Sequence, residues 1–294
     1  MASRYYCSAI LLTYLWSSMN SIAIAIAFKY PERPASATRR ILRSHLTGAA
    51  SASKFSSGAS SRSSSSRSNN NPNQLWNRSS ESLKNEYYLL RHGQSKANVA
   101  QVIASSPTVS IKEYGLSELG KTQAVRAGET VLAAFEESTR ARSILLLTSD
   151  LLRAKETAEI VQQVAQNAGI SIYKDSSLPN IQNGLAIETR LRERWFGEWD
   201  GTSDKNYPKV WKDDAIDPDH TKHGVESVNQ VVHRTTQCIV EWDDIVSDCF
   251  VVCVAHGDVL QILQSAFAKM NAKDHRSLEH LETATLRRIH LADS

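Results

Sequence analysis

Three short apolar runs in this chain end in side chains able to handle an anion. Tyr87-Tyr88-Leu89-Leu90 leads into Arg91-His92-Gly93. Ile144-Leu145-Leu146-Leu147 leads into Thr148-Ser149-Asp150, with Arg153 close behind. Phe250 to Ala255 leads into His256-Gly257-Asp258. A guanidinium can present a planar fork to two phosphate oxygens. A neutral imidazole carries one unprotonated nitrogen that can attack or accept, and a protonated one donates from both. Together these groups suit a phosphate monoester, whose phosphoryl group is stabilised during transfer by fixed positive charge and donors. Taken singly they argue nothing. Arg91 or Arg153 alone reads as a surface ion pair, His256 alone as a hydrogen-bonded core histidine, and Glu193 within Arg192-Glu193-Arg194 as a solvated charge run.

The elements that must position these residues follow from hydrophobic patterning. Runs this short and apolar on every face are buried strands of a largely parallel sheet. Residues 170–173 give a weaker fourth strand and 285–291 a closing one. Helices are expected at 117–137 with Ser117 as N-cap, at 151–168 ending at Gly169, at 226–246 and at 259–270. The alternation predicts a three-layer α/β/α sandwich with a mostly parallel sheet and helices on both faces. Ligands of open α/β sheets bind beyond the carboxyl ends of strands, where Arg91, His92, Ser149, Asp150, Arg153 and His256 all fall.

Several motifs now resemble, in order, those of the histidine phosphatase superfamily, also called phosphoglycerate mutase-like. Leu90-Arg91-His92-Gly93-Gln94-Ser95, followed by Asn98, is similar to its signature. Leu116 to Ala124 matches its Leu-Thr-x-x-Gly-x-x-Gln-Ala helix start. Thr148 to Ala158 matches its second arginine motif, and Leu191 to Gly201 its acid loop. Gly224-Val225-Glu226-Ser227 resembles its Gly-Glu-Ser helix start, and Val254-Ala255-His256-Gly257 its second histidine. The resemblance spans about residues 87–291. It implies a phosphomonoester hydrolase acting through a phosphohistidine, with no metal or other cofactor. His92 is then the nucleophile, its second nitrogen held by a backbone acceptor. Arg91, Arg153 and His256, the last a cationic donor, hold the phosphoryl group. Asn98, Ser95 and Gly257 contact substrate. Glu193 is the general acid and later the base for water, which requires a pKa raised by burial. Alternation along the segment turns Arg192 and Arg194 away from Glu193.

Departures from the family pattern bear on substrate. Gln94 stands where many members have Glu, Asp150 replaces a frequent Pro, and Asp258 follows the second histidine. A carboxylate there disfavours very acidic substrates. Residues 196–201 look more like the phosphatase branch than the mutases. The expected function is hydrolysis of a small phosphorylated metabolite. The alternatives are a phosphoglycerate mutase-type phosphotransferase and a regulatory or binding protein on the same fold. His220, His223, Asp217 and Asp219 form a polar loop rather than a metal site, since no partner motif accompanies them. Cys249 and Cys253 share one strand parity and read as small core residues.

Composition places this domain behind a different kind of segment. The 294 residues carry 34 Lys+Arg and 31 Asp+Glu, a formal net charge of +3. Residues 1–80 hold ten of the basic residues and a single acid, Glu32, so the remainder is mildly acidic. Non-specific nucleic-acid binding by the domain is therefore not expected. Residues 1–27 read as a signal-peptide-like leader ending at Ala25-Ile26-Ala27. Residues 28–81 are Ser/Arg-rich, acid-poor and expected to be disordered, as a transit-like segment would be. The junction Ala27-Phe28 resembles a bipartite plastid presequence. Plastid delivery is the expectation; mitochondrial import, the secretory pathway and an uncleaved membrane anchor are its rivals. An Arg/Ser-rich interaction segment is the other reading of residues 61–68. No membrane span is expected after leader cleavage. The catalytic domain is expected to span 82–294.

Overall fold

The computed structural model describes residues 71–175, 177–178 and 180–293. The leader, the rest of the Ser/Arg-rich segment and its disorder lie outside the described residues. In chain order the elements are β1 (Glu86–Arg91), α1 (Lys96–Ala100), α2 (Pro107–Ser110), α3 (Glu118–Glu137), β2 (Ser143–Thr148), α4 (Leu152–Asn167), β3 (Ile181–Gln182), β4 (Leu185–Ile187), α5 (Tyr207–Asp214), α6 (Val228–Ile245), β5 (Cys249–Ala255), α7 (Gly257–Phe267) and β6 (Leu286–Ile289).

The sheet order is β3-β4-β2-β5-β1-β6. Strands β4, β2, β5 and β1 run parallel, while β3 and β6 are antiparallel edges. Side-chain alternation sorts the core into two layers. Leu89, Leu145, Leu147, Val251 and Cys253 pack with Ile239, Trp242, Leu260 and Phe267 of α6 and α7. Leu90, Ile144, Leu146, Val252 and Val254 pack with Val131, Ala158 and Val161 of α3 and α4. All seven residues of β5 are buried, as both faces of a central strand must be. The expected three-layer α/β sandwich is the fold observed.

Register is what gathers the site. Arg91 pairs with Ala255 and Thr148 with Val254, so three strands end level at one edge. His92, Ser149 and His256 leave the sheet there together.

Several expectations need correction. Residues 170–173 make a single bridge, Ile144 with Ile172, and the true neighbour of β2 is β4. The missed β3–β4 hairpin turns on Asn183-Gly184, both at positive φ, the preferred chemistry for a two-residue turn. Helix α7 begins at Gly257 rather than Val259 because His256 is its N-cap, and it stops at Phe267, with Lys269 left-handed. No phosphate loop is expected from the glycines, yet Gly115 to Thr122 does carry the Gly-x4-Gly-Lys-Thr spacing of one. Here Gly120, Lys121 and Thr122 lie within the first turn and a half of α3, with no strand leading in. Lys121 is turned to Glu118, so the spacing makes no such loop.

The boundary at residue 82 falls too late. Leu75 is fully buried in the core beneath α6 and α7. The Asn73 amide donates to the Ala266 carbonyl at 2.8 Å, and the Gln74 N–H to Thr236 Oγ1 at 3.1 Å. Residues 71–81 are thus part of the folded unit, which spans Asn70–Ser294.

Candidate active site

Arg91 is the last residue of β1 and His92 the first beyond it. His92 is buried, and its Nδ1–H donates to the Gly93 carbonyl at 2.7 Å. Arg153 Nε, which can only donate, reaches His92 Nε2 at 3.1 Å. Both bonds specify one tautomer, with the proton on Nδ1 and a lone pair on Nε2. Burial, then the charges of Arg153 and Arg91, hold the His92 pKa well below the usual imidazole value. The ring therefore stays neutral near pH 7.

The turn carrying His92 is clamped by neighbours. Gly93 donates its N–H to Thr157 Oγ1 at 3.1 Å, and Gln94 donates its N–H to Gln123 Oε1 at 2.8 Å. A Cβ on Gly93 would sit 2.4 Å from the Gly120 carbonyl oxygen, and one on Gly120 2.0 Å from that of Gln94. Two glycines are what allow the start of α3 to approach so closely. Gln94, where Glu is common, accepts the Ser117 hydroxyl at 2.7 Å.

Ser95 and Asn98 form a capping box on α1. Asn98 Oδ1 accepts from the Ser95 N–H and hydroxyl, both at 2.9 Å, and Ser95 Oγ accepts the Asn98 N–H. The Ser95 hydroxyl is thereby engaged within the cap. The same bonds fix the Asn98 amide so that its NH2 group is the end left to donate.

Arg153, from the first turn of α4, is buried. Its Nη2 donates to the Ala104 carbonyl at 3.0 Å and lies 4.0 Å from Glu193 Oε2. His256 Nε2 is 3.0 Å from Ser149 Oγ, which also accepts the Leu151 N–H. The hydroxyl keeps its own proton and a second lone pair, so this contact suits either tautomer of His256. Burial, with Arg153 the largest charge, lowers the His256 pKa well below normal. The ring is accordingly neutral in the free protein, where the sequence led us to expect a cation beside bound phosphate. Arg91 Nε and Arg153 Nη1 are buried donors with no partner, and the His256 Nδ1 nitrogen is buried without one as well. Unsatisfied buried donors are costly, and two beside one imidazole suit an anion.

Glu193 is nearly buried, and burial pushes its pKa up to about 7, against the pull of Arg153 and the Arg194 N–H. The neighbouring arginines do turn away. Arg192 makes two bonds to Asp150, at 2.8 and 2.5 Å. Arg194 is wholly buried and grips Asp214 through two bonds of 2.7 Å. Such a charge is tolerable inside only when paired in this way. Asp258 lines the cleft, accepts the Trp211 indole N–H at 2.9 Å and lies 3.4 Å from Arg194. Its charge is partly offset there, which weakens the expected bias against acidic substrates.

The cleft, of about 170 Å³, brings together Arg91, His92, Ser95, Asn98, Arg153, Glu193 and Gly257. The rings of His92 and His256 are 5.2 Å apart. The lining residues that the sequence did not single out include Tyr207, Trp211, Arg276 and His280. Tyr207 and Trp211 stack at 5.4 Å, one helical turn apart on α5, a spacing the sequence displays. Arg276 lies over the Trp211 ring at 3.7 Å. Arg276 lies near the end of a short 3-10 helix, Ala272–Ser277, and His280 lies beyond it; neither stretch shows a hydrophobic period, so no sequence pattern announces them. The polar loop scatters, with His220 bound to Asp214, His223 to Glu198 and Asp219 to Asn229. Cys249 and Cys253 are free and buried.

A family model for the histidine phosphatase superfamily (branch 1) matches residues 87–294. Glucosyl-3-phosphoglycerate phosphatase of Mycolicibacterium vanbaalenii is 33% identical over 192 residues, covering 60% of this chain and 72% of the relative. A 2,3-bisphosphoglycerate-dependent phosphoglycerate mutase of Bartonella quintana is 28% identical over 200 residues, covering 65% and 85%. The solved mycobacterial glucosyl-3-phosphoglycerate phosphatase complexed with VO3 superposes with a TM-score of 0.52 at 27% identity, over 68% of this chain and 88% of that one.

Proposed function

The chain belongs to the histidine phosphatase superfamily, as a phosphatase, and from that premise we propose that it hydrolyses a small phosphomonoester through a phosphohistidine on His92 without a metal. The observation that carries this reading is the lone pair of His92 Nε2, set among buried N–H donors that have no partner. A phosphoryl group bound by Arg91, Arg153 and His256, with Asn98 at the mouth, presents phosphorus to Nε2. Binding replaces the Arg153 contact to Nε2 with contacts to phosphate oxygens.

The Nε2–P bond forms as the ester P–O bond breaks, and Glu193, protonated in part near pH 7, gives its proton to the leaving oxygen. Glu193, now a carboxylate, takes a proton from water as water attacks phosphorus. Inorganic phosphate leaves, and His92 returns with its proton still on Nδ1. The two guanidiniums supply the charge stabilisation that a metal provides elsewhere, so chelators should leave turnover unchanged.

The named relatives place phosphorylated sugar acids first in a substrate panel. Assaying phosphate release beside phosphoglycerate interconversion separates hydrolysis from mutase activity. Hydrolysis predicts release with no interconversion; the reverse result would make the chain a mutase. His92→Ala should abolish either. We further propose that residues 1–80 direct the protein to a plastid, on their composition. A reporter fused to them that stays in the cytosol would discard that.

A further inference from the structure

We propose that His280 is the positioning residue that decides which edge of Arg91 meets the phosphoryl group. The inference rests on the reading of the cleft as a phosphoryl site. Arg91 has five N–H bonds to place. Its Nη1 carries two of them, and both are committed, one to His280 Nε2 at 2.8 Å and one to the Leu281 carbonyl at 2.9 Å. Nε, by contrast, is buried with no partner. Anchoring Nη1 leaves the edge formed by Nε and Nη2 for the anion, and two parallel N–H groups on that edge match two phosphate oxygens.

A guanidinium cannot accept, so His280 Nε2 must be a lone pair and the ring proton must sit on Nδ1. That Nδ1 is also buried without a partner. His280 therefore acts as a neutral acceptor; a protonated ring would set donor against donor. Burial and the charges of Arg91 and Arg276 favour the neutral form. The contact depends on the start of α7 being bare. A Cβ on Gly257 would come within 3.1 Å of His280 Cε1 and 3.2 Å of Arg91 Cζ. His280 also differs from a surface histidine in place. It lines the cleft beside Arg276, and its neighbour Leu281, which supplies the second acceptor, is fully buried in the core.

The test uses the full chain with His280→Ala, His280→Leu and His280→Gln, reading kcat, KM and the inhibition constant of orthovanadate. Vanadate binding is also followed by calorimetry, so that the result does not depend on turnover. Loss of the anchor in the Ala and Leu variants should raise KM and the vanadate constant together, each about tenfold. Gln restores an acceptor and should return both to within about threefold of the parent. A purely structural role would lower the melting temperature and leave vanadate affinity alone. Unchanged affinity in both the Ala and Leu variants overturns the proposal, as does a Gln variant as impaired as they are. Parent protein that binds no vanadate overturns the reading of the cleft and this inference with it. Turnover surviving in His92→Ala would remove only the nucleophile, leaving His280 to be decided by binding.

Discussion

At the residue scale, two ionisation states carry the chemistry, and they make the pH profile a test. His92 must be neutral to attack, and its lowered pKa keeps it so well below pH 6.5. Glu193 must be protonated to release the alcohol, and its pKa is pushed up to about 7. kcat/KM for alkyl phosphates should fall as pH rises through about 7, and once the substrate's own ionisation at about pH 6 is allowed for, His92 should add no acid-side loss until well below 6.5. Glu193→Gln should remove the limb near 7 and slow alkyl phosphates far more than activated aryl phosphates, which need no proton; equal losses on both would argue against the acid role. The same raised pKa has a consequence for folding. The protonated form of Glu193 contributes stability fully present below its unfolded pKa, about 4.5, and lost as pH rises through about 7. Glu193→Gln should therefore melt higher than the parent at pH 8, by roughly 6–12 °C for about 3 kcal/mol, with little difference at pH 4. A lower melting temperature at pH 8 would show that the carboxylate is compensated in a way the structure does not reveal.

At the element scale, the site is a product of register and of close helix approach. The strand ends were legible because β1, β2 and β5 are short, apolar on both faces and followed at once by polar residues. Ser117 as N-cap was legible from type and place, and its hydroxyl does accept the Gly120 N–H. The β3–β4 hairpin was written in Asn183-Gly184 but flanked by strands too short to show a period. Arg276 and His280 were not legible at all, since only tertiary packing beyond α7 brings them to the cleft. The clearest element-level prediction concerns Gly120. An added Cβ would meet the Gln94 carbonyl at 2.0 Å and force α3 off the turn that carries His92. Gly120→Ala should cost about 2 kcal/mol or more in denaturant unfolding, despite the better helix propensity of Ala, and lower kcat with it. Full stability and activity would show that the turn tolerates the shift.

At the scale of the whole molecule, the folded unit is longer than the motifs suggest. The family motifs end the search for a boundary at the first strand, yet residues 71–81 fill part of the core with Leu75 and hold Ala266 and Thr236 through Asn73 and Gln74. Composition concealed this, because one leucine in a polar stretch has no periodicity to announce it. A chain starting at residue 70 should fold and turn over like the full chain. A chain starting at 82 should melt lower, and Leu75→Ala alone should cost about 3 kcal/mol. Equal melting of the two truncations would mean that the docked segment adds nothing.

The phosphohistidine on His92 is tested most directly by the fate of the phosphoryl group during turnover. The chain from residue 70 should be mixed with a 32P-labelled phosphomonoester, quenched within milliseconds in alkali, digested and mapped. An alkali-stable, acid-labile label should appear on the peptide carrying His92 and be absent from His92→Ala. Label on any other residue, or full phosphate release by His92→Ala, would contradict it.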